Sequence, residues 1–348
     1  MPGELQGERV YVRDQSEANR IYNKGGYGKP LSGGALELDL VEAAYLFSAG
    51  RLTLAKPFEG APDFLSEAAR LRPTFGVQYL AYRELREQRG DLRLAPAAMR
   101  SDGIDFRSGK EPKGQPIVVR ATSERVPVPL SDLFRFAERA AKEGAQGIIA
   151  VVDEESEVTQ YAVALADPQG SREHVDDQPA VDAFLLHDRL FVPASDLFDE
   201  LHEREFFGKK SPGGYYLSLV EGLHLSSRGL IRVTDANAQR RLTPAELRKL
   251  AKALEPGLEL RHPLFEDLKG RRLIVKTGYK FGTHFRAYQE EPRTSHAPFL
   301  VEAMPLDAVF EWPELSRAIR LSHGVRKQLL LADAGSKKVR YISVMRLR

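Results

Sequence analysis

The feature that most constrains this chain is that it is written twice, at an offset of about 180 residues. Arg9-Val10-Tyr11-Val12 matches Arg189-Leu190-Phe191-Val192, and Tyr27-Gly28-Lys29 matches Phe207-Gly208-Lys209. Gly33-Gly34 matches Gly213-Gly214, and Leu40-Val41-Glu42 matches Leu219-Val220-Glu221 one residue out of step. Further on, Gly103-Ile104-Asp105-Phe106-Arg107 matches Gly282-Thr283-His284-Phe285-Arg286, and Pro116-Ile117-Val118-Val119 matches Pro298-Phe299-Leu300-Val301. So steady an offset identifies a tandem duplication, and whatever fold one half adopts the other adopts as well. Core positions match while polar ones differ. In this frame Tyr288, His296 and Lys327 face Gly109, Gly114 and Ala145, so three residues able to move protons or hold a phosphate face three that can do neither. That is the pattern of two copies sharing a fold while one carries function.

At 348 residues the chain is long enough for two to four units, each with its own core. Its 42% hydrophobic and 29% charged content is that of a soluble globular protein. No run approaches the roughly 18 apolar residues of a membrane span, and Met1 to Arg13 shows no apolar signal-peptide core, so a cytoplasmic protein without a membrane partner is expected. The absence of cysteine excludes disulfides and thiolate metal sites. Net charge is only +2, so any affinity for nucleic acid must come from local patches. The last third supplies one in Arg317, Arg320, Arg326, Lys327, Lys337, Lys338, Arg340, Arg346 and Arg348.

The polar segment Asp167 to Glu173, punctuated by Pro168 and Gly170, reads as the join between the repeats. Within each repeat the first part predicts short strands such as Arg9 to Val12, a glycine-rich turn and an apolar helix such as Leu38 to Leu46. Thr243-Pro244-Ala245-Glu246 is a capping box with proline at the first helical position, starting a helix that Pro256 ends. The second part reads helix, strands, helix, strands, with Leu273 to Lys276, Pro298 to Val301, Leu329 to Leu331 and Arg340 to Val344 as strands and a helix after Pro313. The fold class is therefore mixed α and β, with each repeat split in two. The divisions fall at 1–71, 72–168, 169–258 and 259–348.

Two motifs have bland readings. Gly25-Gly26-Tyr27-Gly28-Lys29-Pro30 lacks phosphate-loop spacing and puts proline where that loop needs a metal-binding hydroxyl, so a tight turn is expected. The eight histidines form no His-x-x-x-His pair and have no cysteine to share a metal, so neither a metal nor another cofactor is expected. The densest cluster of polar, aromatic and glycine residues is Lys276 to Tyr288.

That stretch, Val275-Lys276-Thr277-Gly278-Tyr279-Lys280-Phe281-Gly282 through Phe285-Arg286-Ala287-Tyr288, resembles the archaeal tRNA-splicing endonucleases. Ser295-His296-Ala297 and Arg317-Ala318-Ile319-Arg320-Leu321-Ser322-His323-Gly324-Val325-Arg326-Lys327 follow in the same order. The duplication is similar to the homodimeric branch, which fuses a degenerate unit to a catalytic one. The resemblance implies a small N-terminal α/β subdomain and a nuclease-like mixed-sheet subdomain in each repeat. It also implies a precursor tRNA substrate, cut at both intron boundaries within a bulge-helix-bulge, and a triad of Tyr288, His296 and Lys327. His296 is assigned by its Ser-His-Ala context, and His284, four residues before Tyr288, is the weaker candidate. Arg320 and Arg346 align with the family's arginine pair that sandwiches a flipped base, a task suited to planar guanidinium groups. Asp153, Glu154, Glu155 and Glu157 fall where the family docks an acidic loop of the degenerate unit into the partner chain, with paired terminal strands completing that dimer interface.

The residue types suit the implied chemistry. RNA carries its own nucleophile, the ribose 2′-OH, so cleavage needs a base, an acid and a charge stabiliser. Tyrosine ordinarily ionises near ~10, so as a base it needs cations such as Lys327 nearby. Imidazole, titrating near ~6.5, suits protonation of the leaving 5′-oxygen, and an ammonium suits the growing phosphorane charge. Products would be a 2′,3′-cyclic phosphate and a 5′-OH. The rival is a non-catalytic RNA-binding or structural subunit of the same fold. His296→Ala should lower cleavage by roughly 10²–10⁴ while RNA binding persists, whereas replacing Gly114 should leave the rate alone. Equal losses at both positions, measured in single-turnover cleavage, would show that activity is not confined to the second repeat.

Overall fold

Near-continuous apolar runs such as Ile148-Ile149-Ala150-Val151-Val152 and Leu329-Leu330-Leu331-Ala332 have no polar face, so strands made of them must be covered on both sides. The computed structural model, which describes residues 2–55, 57–101, 103–109, 115–175 and 179–347, buries every one of those residues. They belong to a ten-stranded sheet. In chain order its strands are β1 (Leu92–Leu94), β2 (Phe106–Ser108), β3 (Ile117–Ser123), β4 (Gln146–Val152) and β5 (Val158–Ala166) from the first repeat. The second repeat supplies β6 (Ile274–Thr277), β7 (Phe285–Tyr288), β8 (Phe299–Met304), β9 (Gln328–Asp333) and β10 (Arg340–Arg346).

The spatial order is β6-β7-β8-β9-β10-β5-β4-β3-β2-β1, a palindrome of the two repeats. In each half one pair, β3 with β4 and β8 with β9, is parallel. The crossovers joining these pairs carry the helices Leu130–Lys142 and Trp312–Gly324. The halves meet where β5 and β10 run antiparallel, from Tyr161↔Arg346 to Ala166↔Tyr341. This corrects the expectation that paired terminal strands complete an interface between chains. β10 lies between β9 and β5 of its own chain, so both of its edges are already occupied.

One face of the sheet is a core common to both repeats, with Phe134, Phe136, Trp312 and Ile319 of the two helices packed over Ile149, Val163, Leu329 and Val344. The other face is divided. Each half packs there against its own N-terminal part, so Ile148 and Val119 join the core of Val10, Leu38 and Phe64, while Leu330 and Val301 join that of Leu190, Leu217 and Phe265. Those N-terminal parts hold a four-stranded sheet in the first repeat and a six-stranded one in the second. Among the described residues no helix is long and apolar enough to cross a membrane.

The apolar stretch expected as a helix from Leu38 begins as a strand, Leu36–Asp39, and turns helical only at Leu40–Ser48. The capping box decides the boundary, since the Asp39 carboxylate accepts from Val41 N–H and Glu42 reaches back to Asp39 N–H. Ser218 and Glu221 do the same in the second repeat. The spare oxygen of each glutamate accepts the N–H of a repeated glycine, Gly28 at 3.1 Å and Gly208 at 3.2 Å, both at positive φ. The recurrent glycine is thus a turn residue fixed to a helix start. Burial pushes the Glu42 carboxyl up to about 7. Burial acts on Glu221 too, but the Lys276 ammonium 3.2 Å away holds it below the ordinary carboxylate range.

The join between repeats is coil, as its composition suggested, yet it is docked. Gly170 N–H donates to Arg271 O and Arg172 N–H to Arg272 O. Close by, Glu205 is buried against Lys269 at 2.9 Å, with Val175 N–H at 2.9 Å and Arg228 at 3.3 Å. Burial alone would raise its pKa, but Lys269 and these donors pull it down to about 2. A depressed carboxylate contributes stability that is complete above its unfolded pKa and lost as pH falls toward the folded one, here between the ordinary 4.5 and about 2. Lys269→Met should remove the buried cation nearest Glu205 and leave Arg228 as its remaining guanidinium partner, costing up to about 3–5 kcal/mol in denaturant unfolding and weakening the acid dependence between those values.

Candidate active site

A single row across one end of the sheet brings together Tyr288, Lys327 and Arg346, three of the residues singled out by sequence. Tyr288 ends β7 opposite Ile274, and the β7–β8 register sets it next to Pro298. Pro298 in turn neighbours Lys327, because the parallel register pairs Phe299 with Gln328 and Gln328 N–H donates to Pro298 O at 2.8 Å. Two positions beyond Leu329↔Val344, the same register brings Lys327 alongside Arg346, which pairs with Tyr161.

Ala297 is the hub of this row. The Tyr288 ring, 7% exposed, belongs to a small buried cluster with Phe206, Ile274 and Ala297. Lys327 Nζ donates to Ala297 O at 2.8 Å, and its ammonium lies 5.6 Å from the centre of the Phe281 ring. His296, exposed, precedes Ala297 on the segment between β7 and β8. Burial and then the charge of Arg286 hold the Lys327 pKa below the usual lysine value. The Arg286 guanidinium sits 5.7 Å from the centre of the Tyr288 ring.

The first repeat keeps the backbone around Pro298 and Lys327 without the Lys327 side chain. Gln146 N–H donates to Pro116 O at 2.8 Å, as Gln328 does to Pro298. Ala145 N–H donates to Ala140 O at 3.0 Å, and Lys327 N–H to Ser322 O at 2.9 Å. Ala145 and Lys327 are therefore equivalent by hydrogen bonding as well as by offset. Gly114, opposite His296, lies outside the described residues, as does Arg348 of the basic patch.

Arg320 and Arg346 line one surface cleft of about 480 Å³ at the seam between repeats. The first repeat contributes its opposite wall through Gln88 and Gln160, whose side chains bond to each other at 2.8 Å. At the offset positions the silent copy has Glu138 and Leu165, and Glu138 is occupied by Arg340 at 3.1 Å.

His284 is kept apart from this row. It precedes β7 while Tyr288 ends it, about 13 Å along a strand at ~3.3 Å per residue. Its Nδ1 accepts Ala303 N–H at 3.0 Å and lies 3.0 Å from Glu302. In the first repeat the Asp105 carboxylate accepts Ala121 N–H at 2.8 Å, with Arg120 in the place of Glu302. The two copies thus fasten the same backbone amide with different residues. Burial pushes His284 down to about 4 and Glu302 up to about 7.

The acidic loop is a hairpin tip whose four carboxylates are not equivalent. Asp153 accepts Glu155 N–H at 3.0 Å and Glu157 N–H at 2.9 Å through one carboxylate oxygen and so shapes the turn. Glu154, Glu155 and Glu157 are exposed, with Glu154 3.5 Å from Arg125.

Two features near the row escaped sequence reasoning. Phe206 caps its helix at φ 61°, a left-handed conformation that bulky residues avoid, where the first repeat has Gly26 at φ 65°. The repeat offset alone would have exposed that exchange. The second feature is the join, which steadies the His296 segment: Ser171 donates to Gln289 O, Gln289 to Gln169 O, and Arg172 pairs with Glu291.

Comparison with known proteins gives a consistent answer. Residues 258–341 match the family model described as tRNA intron endonuclease, catalytic C-terminal domain. The model for the N-terminal domain matches twice, at 1–61 and 181–248. A tRNA-splicing endonuclease of Methanococcoides burtonii is 35% identical over 356 residues, covering 100% of both chains, and one of Methanosarcina acetivorans is equally similar with the same coverage. The Halobacterium salinarum protein of that name is 30% identical over 381 residues, covering 100% of this chain and 99% of its own.

If His284 fastens Ala303 and does no chemistry, His284→Ala should cost about 1–3 kcal/mol of stability, the price of one buried unpaired amide. Denaturant unfolding measures it, and His284→Asp combined with Glu302→Arg, the first repeat's own pair, should restore most of the loss.

Proposed function

This chain belongs to the tRNA-splicing endonuclease family, and from that premise we propose that it cuts precursor tRNA at both intron boundaries of a bulge-helix-bulge. The observation that carries this reading is that Tyr288 and Lys327 meet at Ala297, which His296 precedes, in a row whose backbone hydrogen bonds at Pro298 and Lys327 recur at Pro116 and Ala145 of the first repeat. Tyr288 takes the proton of the ribose 2′-OH at the cleavage site. The 2′-oxygen attacks the adjacent phosphorus, the bond to the 5′-oxygen breaks, and His296 gives that oxygen a proton. Lys327, directed by the Ala297 carbonyl, neutralises charge gathering on the phosphorane oxygens. Each step conserves atoms, leaving a 2′,3′-cyclic phosphate and a 5′-OH, and none calls for a metal.

Arg320 and Arg346 hold an unpaired bulge base between their guanidinium planes, a role for which their shared cleft is suited. Two chains form the working enzyme, since each contributes one active row and the substrate is cut twice. Glu154, Glu155 and Glu157 dock the chains by meeting cations of the partner, giving register more than raw affinity, while Asp153 holds the loop in shape.

Incubating the protein with a bulge-helix-bulge precursor in excess chelator, followed by end-group analysis, tests the chemistry. The expected ends are those above; RNA bound but left whole would favour the non-catalytic subunit. Neutralising Glu154, Glu155 and Glu157 while keeping Asp153 should give monomers in light scattering and lose cleavage together. A fully active dimer would reduce the loop to a solvated turn.

A further inference from the structure

The second copy departs from glycine at four backbone positions where the first copy keeps it. All eight residues have φ between 56° and 72°. The pairs are Gly7 and His187, Gly26 and Phe206, Gly90 and Arg272, Gly144 and Arg326. Glycine is the natural residue at such φ, and a Cβ placed at Gly90 or Gly144 would meet open space, so these glycines answer to backbone conformation and not to crowding. An arginine there carries conformational cost without relieving any clash.

Both arginines stand at the active end of the sheet. Arg326 immediately precedes Lys327, and Arg272 lies two residues before Ile274, the strand partner of Tyr288. Both are exposed, and among the described residues neither guanidinium forms an ion pair or side-chain hydrogen bond. Their main chains are held, Arg326 N–H by His323 O and Arg272 N–H by Lys269 O, so each side chain leaves from a fixed turn. Of the other two, Phe206 turns its ring inward to Tyr288, and His187 stands in the hairpin turn between Leu186 and Arg189 of the six-stranded sheet, so neither is an exposed cation at the end of the row.

We propose that Arg272 and Arg326 bind phosphates of the RNA on either side of the scissile bond, and that this contact is why the active copy tolerates them where glycine is easier. The proposal rests on the endonuclease reading above. It gives the candidate site two fixed cations beyond the triad, flanking the row from the β6 and β9 sides. Their role is positional: they hold the backbone that runs through the site and take no part in proton transfer.

The competing account is purely structural, since a cation after a helix C-terminus favours the helix dipole. The two accounts predict opposite results for Arg272→Gly and Arg326→Gly. Phosphate binding predicts a thermal midpoint that is unchanged or higher, because glycine relieves the backbone. It also predicts weaker affinity for a bulge-helix-bulge RNA, with the slope of log K against log salt reduced by about 0.7–0.9 for each arginine removed. Lysine at either position should restore most of the slope. The slope decides: unchanged in both glycine variants, it overturns the proposal whatever happens to the midpoint. Wild-type protein that neither binds nor cuts this RNA would instead overturn the endonuclease reading itself.

Discussion

Everything in this molecule is arranged by the antiparallel contact of β5 with β10. Val163 pairs with Val344 at the middle of it, and the two strands are counterparts in the duplication, so the contact acts as a pseudo-twofold axis. Backbone hydrogen bonds across it convert two sheets into one and remove an edge from each. The shared apolar face, where Trp312 stacks on Tyr161 with ring centres 5.5 Å apart and the Tyr161 hydroxyl donates to Ser316 Oγ at 2.9 Å, locks the orientation. Because the axis reverses strand direction, the row containing Tyr288 and Lys327 and the row containing Gly109 and Ala145 fall at opposite ends of the sheet. On the proposed function, one chain therefore presents chemistry at a single end, and two cuts in one substrate then require two chains.

The same contact gives the silent copy work to do. Gln88 and Gln160 form a wall of the cleft that holds Arg320 and Arg346, and the join anchors the segment carrying His296. Without the Lys327 side chain the first repeat still makes the Gln146–Pro116 and Ala145–Ala140 backbone hydrogen bonds that match those around Lys327. What a fold requires and what a site requires are separable here to an unusual degree, since both versions lie within one chain.

Much of this was legible in the sequence, for a physical reason. A duplicated chain carries its own alignment, and the offset shows directly which positions the core demands and which it leaves open. The capping box at Thr243 with Pro244 gave a helix start because its signal is local, and Pro244–Leu254 is helical as expected. The stretch from Leu36 misled because a short buried strand followed by a buried helix is one unbroken apolar run, with no period to divide it. Asp39 and Glu42 mark the division, but only once hydrogen bonds are seen. The pairing of β5 with β10 joins residues about 180 apart, and nothing in either strand names its partner. The role of Asp153 in shaping its turn was likewise hidden, since in a run of four carboxylates sequence cannot tell which one the backbone claims.

Difference between the copies is not by itself a mark of function. His284 and Glu302 against Asp105 and Arg120 are as different as any pair in the duplication, yet each set fastens the same alanine amide. Two half-buried polar pairs of different composition satisfy one backbone demand. Location separates this case from Tyr288, Lys327, Arg272 and Arg326. Those residues sit at one end of the sheet, their counterparts are glycine or alanine, and the backbone hydrogen bonds around Lys327 persist in the copy that lacks its side chain. A substitution that the fold neither needs nor compensates, at the end of a sheet where other such substitutions gather, has to be explained by something outside the fold. Within this chain that condition singles out the residues facing the proposed RNA and leaves His284 to the architecture.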